Sequence, residues 1–224
     1  MSEFDVPIDR AVTTKLGMFD VIGIEIRGLS ITSASLEVGA FIGEVEENVR
    51  SVQNLDEVKN DPIFRAYRDF FWRAGIDPTK TRPAAEALTR RVLRGRSLPR
   101  INTLVDALNG VSLQTKIPFA AFDADLVHGP LALRFATAGE TILPIGHMER
   151  LVLGGSEIVI SDGEKVIALY PHRDSDETKI TEKTRAAIIL ACGVPGVERT
   201  YLRQALERCR RYIVRFCNTS SAGT

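Results

Sequence analysis

Hydrophobic positions repeat along this chain at two spacings, and the switch between them marks out its elements. Residues 19–27, Phe19-Asp20-Val21-Ile22-Gly23-Ile24-Glu25-Ile26-Arg27, alternate closely enough to predict a strand. Over about residues 38–58 the spacing becomes three and four. Phe41, Ile42, Val45, Val49, Val52 and Leu55 then share one helical face and leave Glu44, Glu46, Glu47 and Arg50 to solvent. Asp61-Pro62 reads as a helix start, with Asp61 as cap and Pro62 at the first helical position. That helix, residues 63–73, ends near Gly75 and carries an aromatic stripe of Phe64, Tyr67 and Phe71, broadened by Phe70 and Trp72. Such a stripe is a core face before it is a base-stacking platform. Arg82-Pro83 opens a further helix, from Ala84 to about Leu93, stopped by Gly95. Residues 98–113 predict another, with Ile101, Leu104, Val105, Leu108 and Val111 inward.

The second half reads as β-rich. Strands are predicted at residues 131–136, 156–161, 166–170 and 186–192, with Asp162-Gly163 as a hairpin turn. Gly139-Glu140 turns the chain into the stretch 141–146. A last amphipathic helix, about residues 198–216, turns Leu202, Leu206, Cys209 and Ile213 inward. The expectation is one α+β domain over residues 16–217, with a mixed β-sheet core flanked by helices. Residues 1–15 are expected to form a loosely held arm and residues 218–224 a polar tail.

Composition narrows the function classes. Lysine plus arginine and aspartate plus glutamate balance at 29 each, so bulk charge does not coat nucleic acid, although a local basic patch can. With 44% hydrophobic residues the chain can bury a sizeable core. No apolar run approaches the roughly 18 residues that span a bilayer. The acidic start Met1-Ser2-Glu3-Phe4-Asp5 has no signal-peptide core, and three cysteines make no disulfide framework. A cytoplasmic protein without membrane contact is expected.

Candidate chemistry gathers in three places. The first is the polar stretch His172-Arg173-Asp174-Ser175-Asp176-Glu177-Thr178-Lys179-Ile180-Thr181, set between two apolar runs. It is either a solvated hairpin loop with local turn bonds or a loop that carries function at a sheet edge. The second is Asn102, Asp106 and Asn109, spaced by four and three along one helical face. Such short polar groups are poor helix formers, so their recurrence suggests hydrogen bonds to a neighbouring loop or to a ligand. The third is the basic run Arg82, Arg90, Arg91, Arg94, Arg96 and Arg100. Arg90, Arg91 and Arg94 suit a helix C-terminus. Arg82, Arg96 and Arg100 do not, and are the candidates for phosphate contact. No dinucleotide, Walker, zinc-protease, nucleophile-elbow or paired-cysteine motif occurs, and no cofactor is expected. His172, Asp174 and Asp176 on an extended loop are a weak metal pattern, and Ser175 with His172 a weaker triad, so no metal is expected.

Taken in order, several stretches between residues 60 and 200 resemble the tRNA-editing B3/B4 domain of the phenylalanyl-tRNA synthetase β subunit. They resemble more closely the free-standing B3/B4 proteins. The resemblance rests on residues 64–71, 75–80, 82–88, 98–109 and 117–125, on Pro144-Ile145-Gly146, and on Arg173-Asp174-Ser175-Asp176-Glu177-Thr178. It places residues 117–125 just before the first B3 strand. It implies an α+β fold with a pocket between its sub-parts, in which the ester of a wrongly attached amino acid is hydrolysed. An activated ester needs positioning more than a triad. The implied partners are tRNA or aminoacyl-tRNA and a small amino-acid ligand, with oligomeric state left open. The implied function is trans-editing, and the alternative is a non-catalytic amino-acid, metabolite or tRNA binding module.

By the resemblance, Asp174 and Ser175 anchor water or an amino group as catalytic candidates. Arg173 clamps a carboxylate or phosphate. Asn102, Asp106, Asn109, Thr178 and His172 join Arg173 in binding substrate, and Arg82, Arg96 and Arg100 face tRNA. Two positions depart from the synthetase pattern. Ala120 stands where the synthetase has histidine, and Leu190 where it has the glutamate that reads a tyrosine hydroxyl. Both changes remove polar groups, so the amino acid implied here is not tyrosine, or there is none.

Overall fold

The computed structural model describes residues 3–217. The chain runs through β1 (Glu3–Asp5), α1 (Arg10–Leu16), β2 (Val21–Arg27), α2 (Leu36–Val52), α3 (Pro62–Arg73), α4 (Ala84–Leu93) and α5 (Thr103–Thr115). There follow β3 (Phe119–Asp123), β4 (Ala132–Phe135), β5 (Thr141–Ile142), β6 (Leu151–Val152), β7 (Ile158–Ser161), β8 (Val166–Leu169) and β9 (Arg173–Asp174). The chain closes with β10 (Ala186–Cys192) and α6 (Arg199–Cys217). Two four-stranded sheets carry the fold, one ordered β1-β2-β10-β3 and the other β4-β7-β8-β9, with β5 and β6 as a separate ribbon.

The fold is α+β as expected, and the sheets are antiparallel rather than mixed. Parallel pairing among the described residues is confined to an isolated bridge between Ile8 and Leu133. That bridge corrects the expectation of a loose arm. β1 pairs with β2, the Asp9 carboxylate caps α1 at the Ala11 N–H, and the Asp9 N–H donates to Leu133 O. The start of the chain therefore ties the first sheet to the second. Within the stretch 117–125, Phe119–Asp123 form the strand β3.

The first sheet is covered by helices. α6 packs on β2 and β10, α5 on α6 and β3, and α2 on α5. The inward face of α6 is as predicted, with Leu202, Leu206, Cys209 and Ile213 buried. α2 can approach α5 closely because Gly110 has no Cβ, and one built there would collide with the Phe41 ring. At the centre of the sheet, a Cβ on Gly23 would lie 2.5 Å from Leu190 Cδ2 and 2.6 Å from Phe4 Cζ. The residue opposite Leu190 must therefore be small.

Helix α3 starts where the sequence says, with Asp61 Oδ1 accepting from Ile63 and Phe64 N–H. Its aromatics form a core face: Phe64, Tyr67, Phe70 and Phe71 are buried, and only Trp72 is exposed. The Tyr67 hydroxyl donates to Cys192 O at 2.6 Å and locks α3 to β10. Glu46, expected in solvent, is buried instead; its Oε1 accepts from Leu98 N–H at 2.6 Å and its Oε2 pairs with Arg50 at 3.0 Å. It serves as an anchor for the segment that follows α4. Among the described residues, no helix is long and apolar enough to cross a membrane.

Candidate active site

The polar stretch is not a hairpin loop, because the strands on either side of it lie in different sheets. After β8 the chain turns through the cis peptide Tyr170–Pro171 and folds back as β9 along the edge of the second sheet. Leu169 pairs with Arg173 and Ala168 with Asp174. This register puts Asp174 on the same face as Ala168, and Ala168 in turn opposes Ile160 of β7. Ile160, Ala168 and Asp174 thus form one cross-strand row that faces the first sheet. There the free edge of β3 meets it: Ala121 N–H donates to Asp174 Oδ2 at 3.2 Å. The carboxylate stitches the two sheets together.

Between the sheets lies a cavity of about 80 Å³, lined by Phe119, Ala120, Ile160, Ala168, Leu169, Tyr170, Asp174 and Cys192, and also by Ala84, Pro171, His172 and Arg173. Its walls are held firmly. Tyr170 is buried and its hydroxyl donates to Gly193 O, while Tyr67 holds the carbonyl of Cys192.

Burial among these apolar groups raises the Asp174 carboxyl to about 7, against the smaller opposing pull of the Ala121 N–H. Asp174 therefore titrates near neutrality. His172 moves the other way: burial first, and then the neighbouring Arg173 charge, lower its imidazole to about 4. It is a neutral ring at pH 7. Its edge meets the Phe71 ring at 5.8 Å between centroids, and its Nδ1 is buried without a partner. Desolvation keeps the Cys192 and Cys209 thiols protonated, so neither is a ready nucleophile.

His172 and Arg173 are shared with a second cavity, a cleft of about 350 Å³ lined also by Lys80, Thr81, Arg82, Ala87, Arg90 and Arg94. Arg90 is spoken for, since its Nε lies 2.7 Å from Glu86, which also holds Arg68 at 3.1 Å. Lys80, Arg82, Arg94 and Arg173 remain as cations on the cleft wall. A third cleft, of about 310 Å³ between Gly75, Ile76, Glu157 and Tyr170, meets the other two at His172.

Of the residues predicted from sequence, the structure brings together His172, Arg173, Asp174 and Arg82. The others stand elsewhere. Ser175 is fully buried, donates to Leu143 O at 3.3 Å and accepts from Glu177 N–H at 3.3 Å; it builds the turn Asp176–Thr178 and lines neither cavity. Thr178 is buried in that turn, its Oγ1 without a partner. Asp176 is held by Lys179 at 2.8 Å and does not converge with His172 and Asp174.

The polar face expected on the fourth of the long helices also resolves into local structure. α5 begins only at Thr103, so Asn102 is its cap, accepting from Val105 N–H at 3.0 Å and reaching Ile180 O at 3.5 Å. Asp106, buried, accepts from Arg100 Nε at 2.6 Å and Ile101 N–H at 2.8 Å. Asn109 is half-buried on α5 and lines no part of the cavity between the sheets. Arg100 is thereby neutralised, and Arg96 is exposed away from the cationic cleft. Sequence reasoning missed Lys80 and also Arg94, which it assigned to the helix dipole. It also missed the apolar lining, for which strand periodicity carries no signal of what a buried face borders.

Ala120 and Leu190 are directly opposed across the β3–β10 ladder. Ala120 opens onto the cavity, and Leu190 is fully buried against the bare Cα of Gly23.

Residues 66–218 match the B3/4 domain family. The phenylalanine–tRNA ligase beta subunit of Xanthomonas oryzae pv. oryzae (strain MAFF 311018) is 31% identical over 204 residues, covering 81% of this chain and 24% of that protein. The subunit of the same name from Xanthomonas campestris pv. campestris (strain 8004) is 36% identical over 113 residues, covering 50% of this chain and 14% of that one. The chain thus spans about a quarter or less of the length of these relatives. Among solved structures, an N-terminal fragment of the phenylalanyl-tRNA synthetase beta-subunit from Pyrococcus horikoshii shares the fold. Its TM-score is 0.50 at 12% identity, over 94% of this chain and 48% of that one.

Proposed function

This chain belongs to the B3/4 domain family, and from that premise we propose that it hydrolyses the ester of a wrongly attached amino acid on tRNA, in trans to the synthetase that formed it. One observation carries the reading: a mostly apolar pocket with a single carboxylate shares the wall His172-Arg173 with a cleft bearing Lys80, Arg82 and Arg94. A charged tRNA end needs those two compartments side by side. The side chain of the amino acid enters the apolar pocket, and the phosphates lie against the cations.

The chemistry follows from the placement of Asp174. Its carboxyl titrates at about 7, near the optimum for a general base at neutral pH. Water adds to the ester carbonyl as Asp174 takes its proton. The bond to the ribose oxygen then breaks, and the proton passes to that leaving oxygen. Arg173 is exposed at the junction of pocket and cleft, tethered loosely to Ile145 O at 3.3 Å, and is free to hold a terminal phosphate. The neutral His172 lines the junction without adding charge.

The test mixes the purified chain with tRNAs charged separately with different amino acids, so any activity is activity in trans. Wild type should release at least one amino acid faster than the protein-free control. Asp174→Asn should lower kcat by about 10²–10⁴-fold, the usual contribution of a general base. Arg82→Ala with Arg94→Ala should raise KM and make the salt dependence of log K shallower by roughly 1.4–1.8. If no charged tRNA loses its amino acid faster with protein than without, the reading is refuted.

A further inference from the structure

We propose that the pocket between the sheets is a size filter that admits small amino-acid side chains, those of alanine or serine, and excludes aromatic ones. This rests on the editing reading above and names its substrate class. The cavity measures about 80 Å³. A cavity of about 150 Å³ is what takes a benzene ring, six carbons. On that scale the pocket holds about three non-hydrogen atoms, enough for the one or two side-chain atoms of alanine or serine but only half of a phenyl ring and less than half of a phenol.

The limit is built into the two sheets. Ala120 and Ala168 are already small, so the space is set by Ile160, Leu169, Phe119 and Tyr170 around them. These groups do not swing aside easily. Ile160 and Tyr170 are buried, and Ile160 sits in the middle of the β4–β7–β8 ladder. The Tyr170 hydroxyl is tied to Gly193 O, just past the end of β10 in the opposite sheet. Interiors packed this closely do not expand to take an added ring without displacing backbone.

The experiment compares rates of deacylation of tRNAs charged with alanine, serine, phenylalanine and tyrosine. Wild type should prefer the small pair by at least 100-fold, in line with roughly 10–200-fold for each ill-fitting methylene. Ile160→Ala removes three carbons and adds roughly 75 Å³ on the same scale, which should bring the aromatic rates up at least tenfold relative to alanine. Truncating a fully buried isoleucine also weakens the core, so a filling variant provides an independent arm. Ala120→Val should suppress alanine and serine release at least tenfold while leaving the thermal transition in place. Aromatic release by wild type as fast as alanine release would overturn the size filter and leave the editing reading standing. Failure on every charged tRNA would overturn both.

Discussion

Replacing Asp174 by Asn removes a charge that the fold holds at a cost, and the cost can be worked out from where the group sits. Asp174 has an ordinary value of 3.8 and a folded value of about 7. Between those limits the folded chain binds a proton that the unfolded chain has released. Stability therefore falls as pH rises from 3.8 to 7 and levels off above it. At 1.36 kcal/mol per pKa unit the full penalty above pH 7 is roughly 4 kcal/mol, and water reaching the half-buried carboxylate lowers it to about 2–4 kcal/mol. Asparagine has the same shape, keeps an oxygen for the Ala121 N–H and carries no charge. Asp174→Asn should match wild type at pH 4 and exceed it at pH 8.5 by roughly 5–15 °C in Tm, at about 2–4 °C per kcal/mol for a chain of this size. The assay is thermal unfolding of both proteins across pH 4–9, read as the difference between them, which cancels other titrating groups. A difference that stays constant with pH, or a variant less stable at pH 8.5, would refute the assignment of a desolvated carboxylate without a countercharge. The same variant should be more stable and less active, as expected where a catalytic group is kept in an unfavourable setting.

Two further substitutions probe the neighbourhood. His172→Gln should remove an acid sensitivity: the imidazole falls from 6.5 to about 4 on folding, so wild type loses stability as pH drops from 6.5 to 4. The variant should lose about 1–3 kcal/mol less over that range by urea titration. Glu86→Ala should destabilise by about 3–5 kcal/mol, because the fully buried Glu86 is the partner of both Arg68 and Arg90. A change below about 1 kcal/mol in chemical denaturation would mean that solvent already screens the two cations.

What could be read in the sequence was whatever is local. The Asp61-Pro62 start of α3, its aromatic face and the inward stripe of α6 each follow from which residues lie three or four apart, and they stand in the structure as read. The strands β2, β8 and β10 follow from apolar runs in the same way. The chemistry-bearing stretch at residues 172–181 was also legible, since polar residues between two buried strands must come out at a sheet edge. Ordered motifs of the B3/B4 domain then pointed to the family.

Partner choice was not legible. Periodicity says that a face is buried but not against what, so β8 and β10 looked like the arms of one hairpin when they belong to different sheets. The same gap misplaced Glu46, whose helical position faces solvent by pattern but meets the free Leu98 N–H. It likewise turned Asn102 and Asp106 from pocket residues into the cap and brace of α5. A short polar side chain takes whichever unsatisfied backbone group lies nearest, and only the folded chain fixes which that is. The pocket itself is wholly a tertiary product. Ile160, Ala168 and Asp174 come from three strands, Ala120 and Cys192 from the opposing sheet, and the volume left between them depends on how far apart two sheets settle once their side chains interlock.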